Sequence, residues 1–290
     1  MQSTHNKLSC YLVVLTACLI SACSPIKVLN SLVPESGYQL ISGIAYGANS
    51  RQKLDLYLPK NEVNQASINR KVVIFYYGGN WDSGVRAGYK FVAEALVSHG
   101  YIVVIPDFRL YPEVLFPALM LDPVTAAKWV KTHINQYGGD VNKVFLAGHS
   151  SGAHMAVMMS INPEYLAVAS LQPKDFSGVI GLAGPYDFLP LKSERLKTIF
   201  GDEAQQLKSQ PIHFVDGKNP PILLAVGQKD STVWPRNTVN LAKKIKENNG
   251  LVEVVEFEKY GHVDMVAKLA KPLRGDGALL NAITRFIDSH

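Results

Sequence analysis

The sequence predicts an α/β domain with a central, mostly parallel sheet that has helices on both of its faces. Apolar runs of strand length alternate with helical patterns along the chain, which is the order found in parallel sheets. Most of these runs are apolar throughout, as expected for strands that are buried on both faces. Strands of this sheet are predicted at 71–76, 101–105, 144–147, 178–183, 221–226 and 251–257.

The N-terminal strands have a different pattern. Between residues 53 and 58, leucines alternate with polar or aromatic residues, so that Leu54, Leu56 and Leu58 share one face. Together with the short run 44–46, this alternation predicts an antiparallel N-terminal edge on the sheet. The predicted helices are 84–99, 117–136, 237–248 and 278–287.

Length and composition limit the number of domains and the kinds of partner. The chain has 290 residues, and about 250 remain after the leader described below, which suits one α/β domain. We place this domain at 43–290, with an insertion at 184–220 that can act as a cap. The formal net charge is +5 without a Lys/Arg-rich run, so we expect no nucleic-acid partner. Metal-ligand spacing is also missing from the sequence, so we expect neither a metal nor an organic cofactor.

The N-terminus has the features of an export signal. Lys7 precedes an apolar stretch from Leu8 to Ile20, which is short for a membrane span and suits a signal peptide at 1–22. The following Ile20-Ser21-Ala22-Cys23 resembles a bacterial lipobox, in which the cysteine is acylated and becomes the new N-terminus.

That resemblance implies lipidation at Cys23, with residues 23–42 as a lipidated tether to the membrane. Ser24 follows the cysteine, which favours the outer membrane as the location in the bacterial cell envelope. Cys18 is a second, poorer candidate for acylation. An ordinary signal peptide that happens to contain cysteines is the alternative.

A serine between two glycines follows the predicted strand 144–147. The segment from Gly148 to Gly152 has the G-x-S-x-G pattern of a nucleophile elbow and lies between a strand and a helix, as that motif requires. A serine aimed out of a sheet needs a sharp, strained turn, and the two glycines leave room for it. N–H groups at the start of the next helix favour negative charge there. The pattern therefore predicts Ser150 as a nucleophile.

A serine nucleophile needs a base, and the base needs an orienting acid. After an elbow of this kind the acid and then the histidine follow in chain order, each just beyond the carboxyl end of a strand. Asp230 follows the predicted strand 221–226, and His262 follows 251–257. We therefore expect Ser150, Asp230 and His262 to act together.

Five ordered blocks resemble the α/β-hydrolase esterase/lipase family, near its hormone-sensitive-lipase-like, feruloyl/acetyl-esterase-like and kynurenine-formamidase-like branches. The resemblance covers roughly residues 53 to 265 and implies the α/β-hydrolase fold. We expect Asp107, Arg109 and Asp122, which match one block, to form a bracing network beneath the site. The blocks are 54–59, 107–113 with 116–118 and Asp122, 148–153, 184–187 and 261–262.

The sequence departs from the family where the oxyanion hole is built. The family has H-G-G-x-W or H-G-G-G-W, and this chain has Tyr77-Gly78-Gly79-Asn80-Trp81. Because such a hole is made from backbone N–H groups, the resemblance still implies donors at Gly79, Asn80 and Ser151. Tyr77, in place of the histidine, affects the bracing of the loop. We expect Trp81 and His149 to line the substrate pocket, with packing in the core as the alternative for both.

These patterns predict a lipid-anchored serine carboxylesterase acting on small or medium acyl esters, including aromatic or acetyl esters. An amide or formamide hydrolase of the kynurenine-formamidase type, using the same three residues, is the first alternative. A non-catalytic envelope lipoprotein that binds a ligand or partner is the second. The presence of all three catalytic residue types argues against this last class.

Overall fold

A computed structural model describes residues 29–60 and 69–290, which form an eight-stranded sheet with the order β1-β2-β4-β3-β5-β6-β7-β8. The predicted fold class is confirmed, including the antiparallel edge: β1 pairs with β2 and β2 with β4 in antiparallel fashion, and all other pairs are parallel. The strands are β1 Tyr38–Ala45, β2 Lys53–Pro59, β3 Arg70–Tyr76, β4 Ile102–Pro106, β5 Gly139–His149, β6 Gly178–Leu182, β7 Ile222–Gly227 and β8 Val252–Phe257.

Helices cover both faces of this sheet. Side chains of a strand point alternately to the two faces, and every residue of β4, β6 and β7 is buried. Short 3₁₀ turns extend several of the helices, for example Arg86–Tyr89 before α1. The helices are α1 Lys90–Val97, α2 Leu121–His133, α3 Ser151–Ile161, α4 Pro163–Ala167, α5 Glu194–Phe200, α6 Glu203–Lys208, α7 Arg236–Glu247, α8 Asp264–Ala267 and α9 Ala278–Ser289.

The strand order fixes where a site can form. β4 lies on one side of β3, and the next strand along the chain, β5, lies on the other side. At such a reversal of strand order, the connections leave the carboxyl ends of neighbouring strands in opposite directions and open a crevice. The loops after β3, β5, β7 and β8 therefore meet at one edge of the sheet.

The domain begins earlier than the predicted boundary at residue 43. β1 starts at Tyr38, and the ring of Tyr38 is buried with its centroid 5.3 Å from that of Tyr57. Polar residues and a register shift between Ile41 and Ile44 interrupt the apolar pattern, which explains why the start of this strand is hard to recognise in the sequence. The last residues of the predicted tether, 38–42, are thus part of the sheet.

The predicted signal peptide, Cys18 and Cys23 lie outside the described residues. In the part of the chain that is described, no helix is both long enough and apolar enough to cross a bilayer.

The predicted insertion at 184–220 joins β6 to β7 and contains α5 and α6. It packs firmly on the domain: Phe200, at the end of α5, is buried with its ring centroid 4.8 Å from that of Trp81. The N–H of Phe116 also donates to the carbonyl oxygen of Ile199 at 2.9 Å. The insertion therefore forms a fixed wall beside the crevice.

Candidate active site

Ser150 lies in the turn between β5 and α3, with φ 55° and ψ −124°. This backbone conformation is costly for a non-glycine residue and is characteristic of a nucleophile elbow. Both flanking glycines are needed for the turn. A Cβ on Gly152 would lie 2.0 Å from the carbonyl oxygen of Tyr76, and one on Gly148 would lie 2.4 Å from the carbonyl carbon of Gly152. Larger residues are therefore excluded from both positions.

The structure brings the predicted base and acid to this serine. His262 Nε2 lies 2.9 Å from Ser150 Oγ, and His262 Nδ1 lies 2.8 Å from Asp230 Oδ2. The loop after β7 fixes the carboxylate, because Asp230 Oδ1 accepts the N–H groups of Thr232 and Val233 at 2.9 and 2.8 Å. Asp230 is only 3% exposed.

This arrangement favours one tautomer of the neutral imidazole. A proton on Nδ1 donates to the buried carboxylate of Asp230, which leaves the lone pair of Nε2 facing the hydroxyl of Ser150. The hydroxyl can then donate to Nε2. The geometry can therefore move a proton from Ser150 to His262 and stabilise the resulting imidazolium.

The loop after β3 carries the predicted oxyanion donors. Asn80 and Trp81 have positive φ values of 50° and 60°, and Gly79 has φ 144°. In the described chain, the N–H groups of Gly79 and Asn80 donate to no other group. The N–H of Ser151 lies in the first turn of α3, where helix N–H groups lack intrahelical partners. All three are available to an oxyanion beside Ser150.

Tyr77, which replaces the histidine of the family pattern, holds this loop from beneath. Its buried ring stacks on Phe108 and Tyr89 at centroid distances of 4.5 and 5.3 Å. Its hydroxyl donates to Asp107 Oδ1 at 2.7 Å and accepts from Arg51 Nη2 at 3.1 Å. Burial is the main cause that raises the pKa of Tyr77, so the hydroxyl stays protonated. The substitution therefore changes the brace and does not remove it.

Asp107, Arg109 and Asp122, which we expected to form one network, belong to two separate ion-pair networks. Arg109 Nη2 contacts Asp122 Oδ1 at 2.7 Å, whereas Asp107 pairs with Arg86. The same guanidinium binds the buried Asp55, with Arg86 Nε 2.7 Å from Asp55 Oδ1. Arg86 lies some thirty positions along the chain from Asp55, in a helical turn with no recognisable motif, so sequence spacing gives no sign of this pairing.

Two cavities meet at Ser150. The first is about 280 Å³ and lies between the 184–220 insertion and the loop after Asp230, with Trp81 and Phe188 in its walls. The second is about 290 Å³ and is lined by Gly79, His149 and His262. Trp81 lines the first cavity and His149 lines the second. Both are also almost fully buried.

His149 supports the histidine loop. Its Nε2 lies 3.0 Å from the carbonyl oxygen of His262, and because a carbonyl only accepts, Nε2 must carry the proton. Its Nδ1 is buried without a hydrogen-bond partner in the described chain. Burial, and then the nearby His262, lower the pKa of His149 to about 3. The ring is therefore neutral at ordinary pH.

Sequence reasoning missed most of the first cavity. Its walls include Phe188, Leu191 and Trp234, which come from the insertion and from the loop between β7 and α7. One signal was available for Trp234: residues that closely follow an acid at the carboxyl end of a strand must lie near the site. The insertion offers no comparable pattern, because its helices are short.

Comparison with known proteins identifies the family of the chain. The model of the BD-FAE family matches residues 54–245. The chain is 26% identical over 254 residues to a probable isoprenylcysteine alpha-carbonyl methylesterase of Arabidopsis thaliana, covering 80% of this chain and 52% of that protein. It is 27% identical over 241 residues to a kynurenine formamidase of Salmo salar, covering 80% and 77%. The chain therefore spans only about half the length of the plant relative.

Esterase B of Lactobacillus rhamnosis, a solved structure, superposes with a TM-score of 0.80 at 22% identity, covering 97% of this chain and 95% of that one. This likeness shows a shared fold. The family match extends over more than half of the chain and includes Ser150 and Asp230. The chain therefore belongs to the BD-FAE family and has the α/β-hydrolase fold.

Proposed function

We propose that the protein is a serine carboxylesterase that hydrolyses small or medium acyl esters through Ser150, His262 and Asp230. The observation that carries this proposal is the continuous hydrogen-bonded chain from Asp230 through His262 to Ser150. It ends beside three N–H groups that have no partner in the described chain. A nucleophile, its base and an oxyanion site in this relation are the requirements of acyl transfer.

In the first half of the reaction, Ser150 Oγ attacks the ester carbonyl carbon while His262 Nε2 takes the hydroxyl proton. The carbonyl oxygen becomes an oxyanion, which the N–H groups of Gly79, Asn80 and Ser151 stabilise. Asp230 keeps the imidazole oriented and stabilises its protonated form. His262 then gives the proton to the alcohol oxygen as the carbon–oxygen bond breaks, leaving an acyl group on Ser150.

In the second half, His262 takes a proton from water as the water oxygen attacks the acyl carbon. His262 then returns the proton to Ser150 Oγ as the acid is released. The leaving oxygen must lie next to His262 Nε2, and His262 lines the second cavity. We therefore assign the alcohol to the second cavity and the acyl group to the first, which His262 does not line. A volume of about 280 Å³ is at the small end of ligand pockets.

Similar proteins support ester hydrolysis by their described activities. They include the plant methylesterase and an esterase, LipC, of Mycobacterium tuberculosis. The solved esterase B is described with a tributyrin phosphonate inhibitor.

A formamide hydrolase is the second candidate. The kynurenine formamidase of Salmo salar is matched over 77% of its length, which is more complete than the match to the plant esterase. The same three side chains can attack a formamide carbonyl, with His262 then protonating a leaving nitrogen. The two candidates differ in leaving group and not in machinery.

A substrate panel tests both candidates. We expect p-nitrophenyl esters of short and medium acyl chains to be hydrolysed faster than N-formyl substrates. Activity should be lost in Ser150→Ala and in His262→Ala to a similar extent, because members of such a unit act non-additively. Ser160→Ala is the matched control, since Ser160 is a buried serine on the same helix α3 that lines neither cavity. Faster turnover of N-formyl substrates would favour the second candidate, and full activity of Ser150→Ala would refute both.

A further inference from the structure

The charge lining the two cavities is asymmetric. Lys192 and Arg236 are the charged side chains among the described residues that line the first cavity, and no Asp or Glu lines it. The second cavity is lined by neither Lys nor Arg within the described chain. Because Ser150 lines both cavities, the two cations place positive charge on the side of Ser150 where the first cavity lies.

An exposed tryptophan positions these cations. Trp234 lines the same cavity and is 51% exposed, which is unusual for an indole. The guanidinium carbon of Arg236 lies 5.3 Å from the ring centre of Trp234, and Lys192 Nζ lies 5.7 Å from it. Both contacts are cation–π interactions. Lys192 precedes α5 and Arg236 begins α7, so two separate elements bring their charges to one ring.

Neither cation is neutralised by a carboxylate within 4.0 Å in the described part of the chain. Arg236 makes one long hydrogen bond, from Nη2 to the carbonyl oxygen of Leu189 at 3.4 Å. Arg195, three positions beyond Lys192, contrasts with this, because it contacts Asp82 Oδ2 at 2.6 Å. A guanidinium has five N–H donors, so most of those of Arg236 remain available to a ligand.

The cavity is largely apolar, with Trp81, Phe188 and Leu191 in its walls. Ser150 is buried whereas Lys192 and Arg236 are exposed, so the two cations lie at the solvent end of the cavity. An acyl chain bound there would have apolar walls along its length and positive charge around its far end. A carboxylate at that end would accept hydrogen bonds from Arg236 and the ammonium of Lys192.

We propose that Lys192, Arg236 and Trp234 form a subsite for an anionic group, a carboxylate, at the distal end of the acyl chain. This inference rests on the proposed function, because it uses the assignment of the acyl group to the first cavity. The preferred substrates are then half-esters of dicarboxylic acids, or esters whose acyl chain ends in another anionic group.

Chain-matched substrate pairs test the subsite. One series contains mono-p-nitrophenyl esters of straight-chain diacids from adipic to sebacic acid, and the other contains the same esters with the distal carboxyl methylated. We expect the wild-type protein to prefer the charged member by about threefold to tenfold in kcat/KM at the best chain length, as for one or two exposed ion pairs. This preference should decrease when salt is raised from about 0.05 to about 0.5 M.

In the double variant Lys192→Gln/Arg236→Gln the ratio should fall to about one. Arg236→Lys alone should keep part of the preference. The matched control is Lys243→Gln/Lys246→Gln, which removes the same charge from α7 at two exposed positions outside both cavities. It should keep the wild-type ratio. Thermal melts confirm that each variant is folded.

Two results would overturn the subsite. One is an equal charged-to-neutral ratio in the wild-type protein and the double variant. The other is a preference for a charged leaving group that depends on the two cations. The wild-type protein would then cleave the butyrate of 3-carboxy-4-nitrophenol faster than p-nitrophenyl butyrate, and the double variant would not. Failure of the proposed function is different: no ester of either series would then be hydrolysed by the wild-type protein.

Discussion

Asn80 shows how one residue can adapt a family motif. The sequence alone suggests that it occupies the place of a glycine because asparagine tolerates left-handed backbone angles, and its φ of 50° confirms that conformation. No hydrogen bond of its side chain supports the loop within the described chain. We therefore expect Asn80 to contribute a backbone N–H and a loop shape, and not its side chain.

We predict that Asn80→Gly keeps most activity, because glycine reaches the same angles. Asn80→Val should lose about 10²–10³ in kcat, the cost of one oxyanion donor, since a β-branched residue resists positive φ. The measurement is kcat on p-nitrophenyl butyrate with folding checked by thermal melt. A loss of the full donor factor in folded Asn80→Gly would show that the side-chain amide is the donor.

His149 offers a second test at the same scale. Its Nε2–H donates to the carbonyl oxygen of His262, so it positions the loop that holds the base. We expect His149→Ala to lower kcat about tenfold or more with little change in KM, because small displacements of a catalytic group are costly. His149→Gln should recover part of the loss by supplying an N–H donor. Equal kcat in His149→Ala and wild type would show that the contact has no part in positioning.

The three residues that we propose to react could be predicted together because their order along the chain follows from the fold, and each lies just beyond a strand end. The contacts of 2.9 and 2.8 Å that join them agree with that prediction. Their supporting residues were not predictable. Arg86 and Lys192 owe their positions to contacts between distant segments, which leave no pattern in spacing or periodicity.

At the scale of elements, strands β3 to β8 were predicted to within one or two residues, except that β5 extends at both ends of the predicted 144–147. Long apolar runs carry enough information for this. The sequence of the insertion does not predict its helices. α5 and α6 have only 7 and 6 residues, and helices of that length depend on tertiary packing. β1 was partly missed for a related reason: its pairing with β2, not its sequence, defines it.

The loop after β3, which carries the proposed oxyanion donors, is held by Tyr77, and this support can be tested. We predict that Tyr77→Phe costs about 1–3 kcal/mol of unfolding free energy, because it removes a buried hydrogen bond to Asp107. It should also lower kcat, since the loop that carries the oxyanion donors loses its brace. The comparison is urea unfolding together with kcat on one activated ester.

Tyr76→Phe is the control for this experiment. The hydroxyl of Tyr76 is also buried and donates to the carbonyl oxygen of Pro123 at 2.9 Å, away from the loop. It should lose comparable stability with kcat unchanged. If both variants show the same kcat, Tyr77 contributes only to stability.

For the whole molecule, two buried histidines make stability depend on pH. Burial lowers the pKa of His149 to about 3 and that of His154 to about 4, below the ordinary value of 6.5. Between these values the unfolded chain binds protons that the folded chain does not, so stability falls as pH falls below about 6.5. Each histidine should cost about 2 kcal/mol of unfolding free energy between pH 7 and pH 5.

His154→Gln isolates one of these contributions. His154 Nε2 donates to the carbonyl oxygen of Ser209 at 2.8 Å, a bond that glutamine can replace without titrating. Urea unfolding at pH 7 and pH 5 should show a decrease smaller by about 2 kcal/mol than in the wild-type protein. The same decrease in both proteins would mean that His154 is not a source of the pH dependence.

The N-terminal anchor remains a prediction about the intact chain. If Cys23 is acylated, Cys23→Ser should abolish incorporation of a fatty-acid analogue and leave the unprocessed precursor. Cys18→Ser is the natural control and should be labelled normally. Label retained in Cys23→Ser but lost in Cys18→Ser would assign the anchor to Cys18 instead.

The most direct test of the account is to map the adduct of a fluorophosphonate by mass spectrometry of the digested protein. Because Ser150 is the serine paired with the base among the residues that the structure describes, we predict a single adduct on the peptide that contains Ser150. The adduct should be missing in Ser150→Ala and form far more slowly in His262→Ala. An adduct on another residue, or none on the folded wild-type protein, would contradict the assignment of Ser150 as the nucleophile.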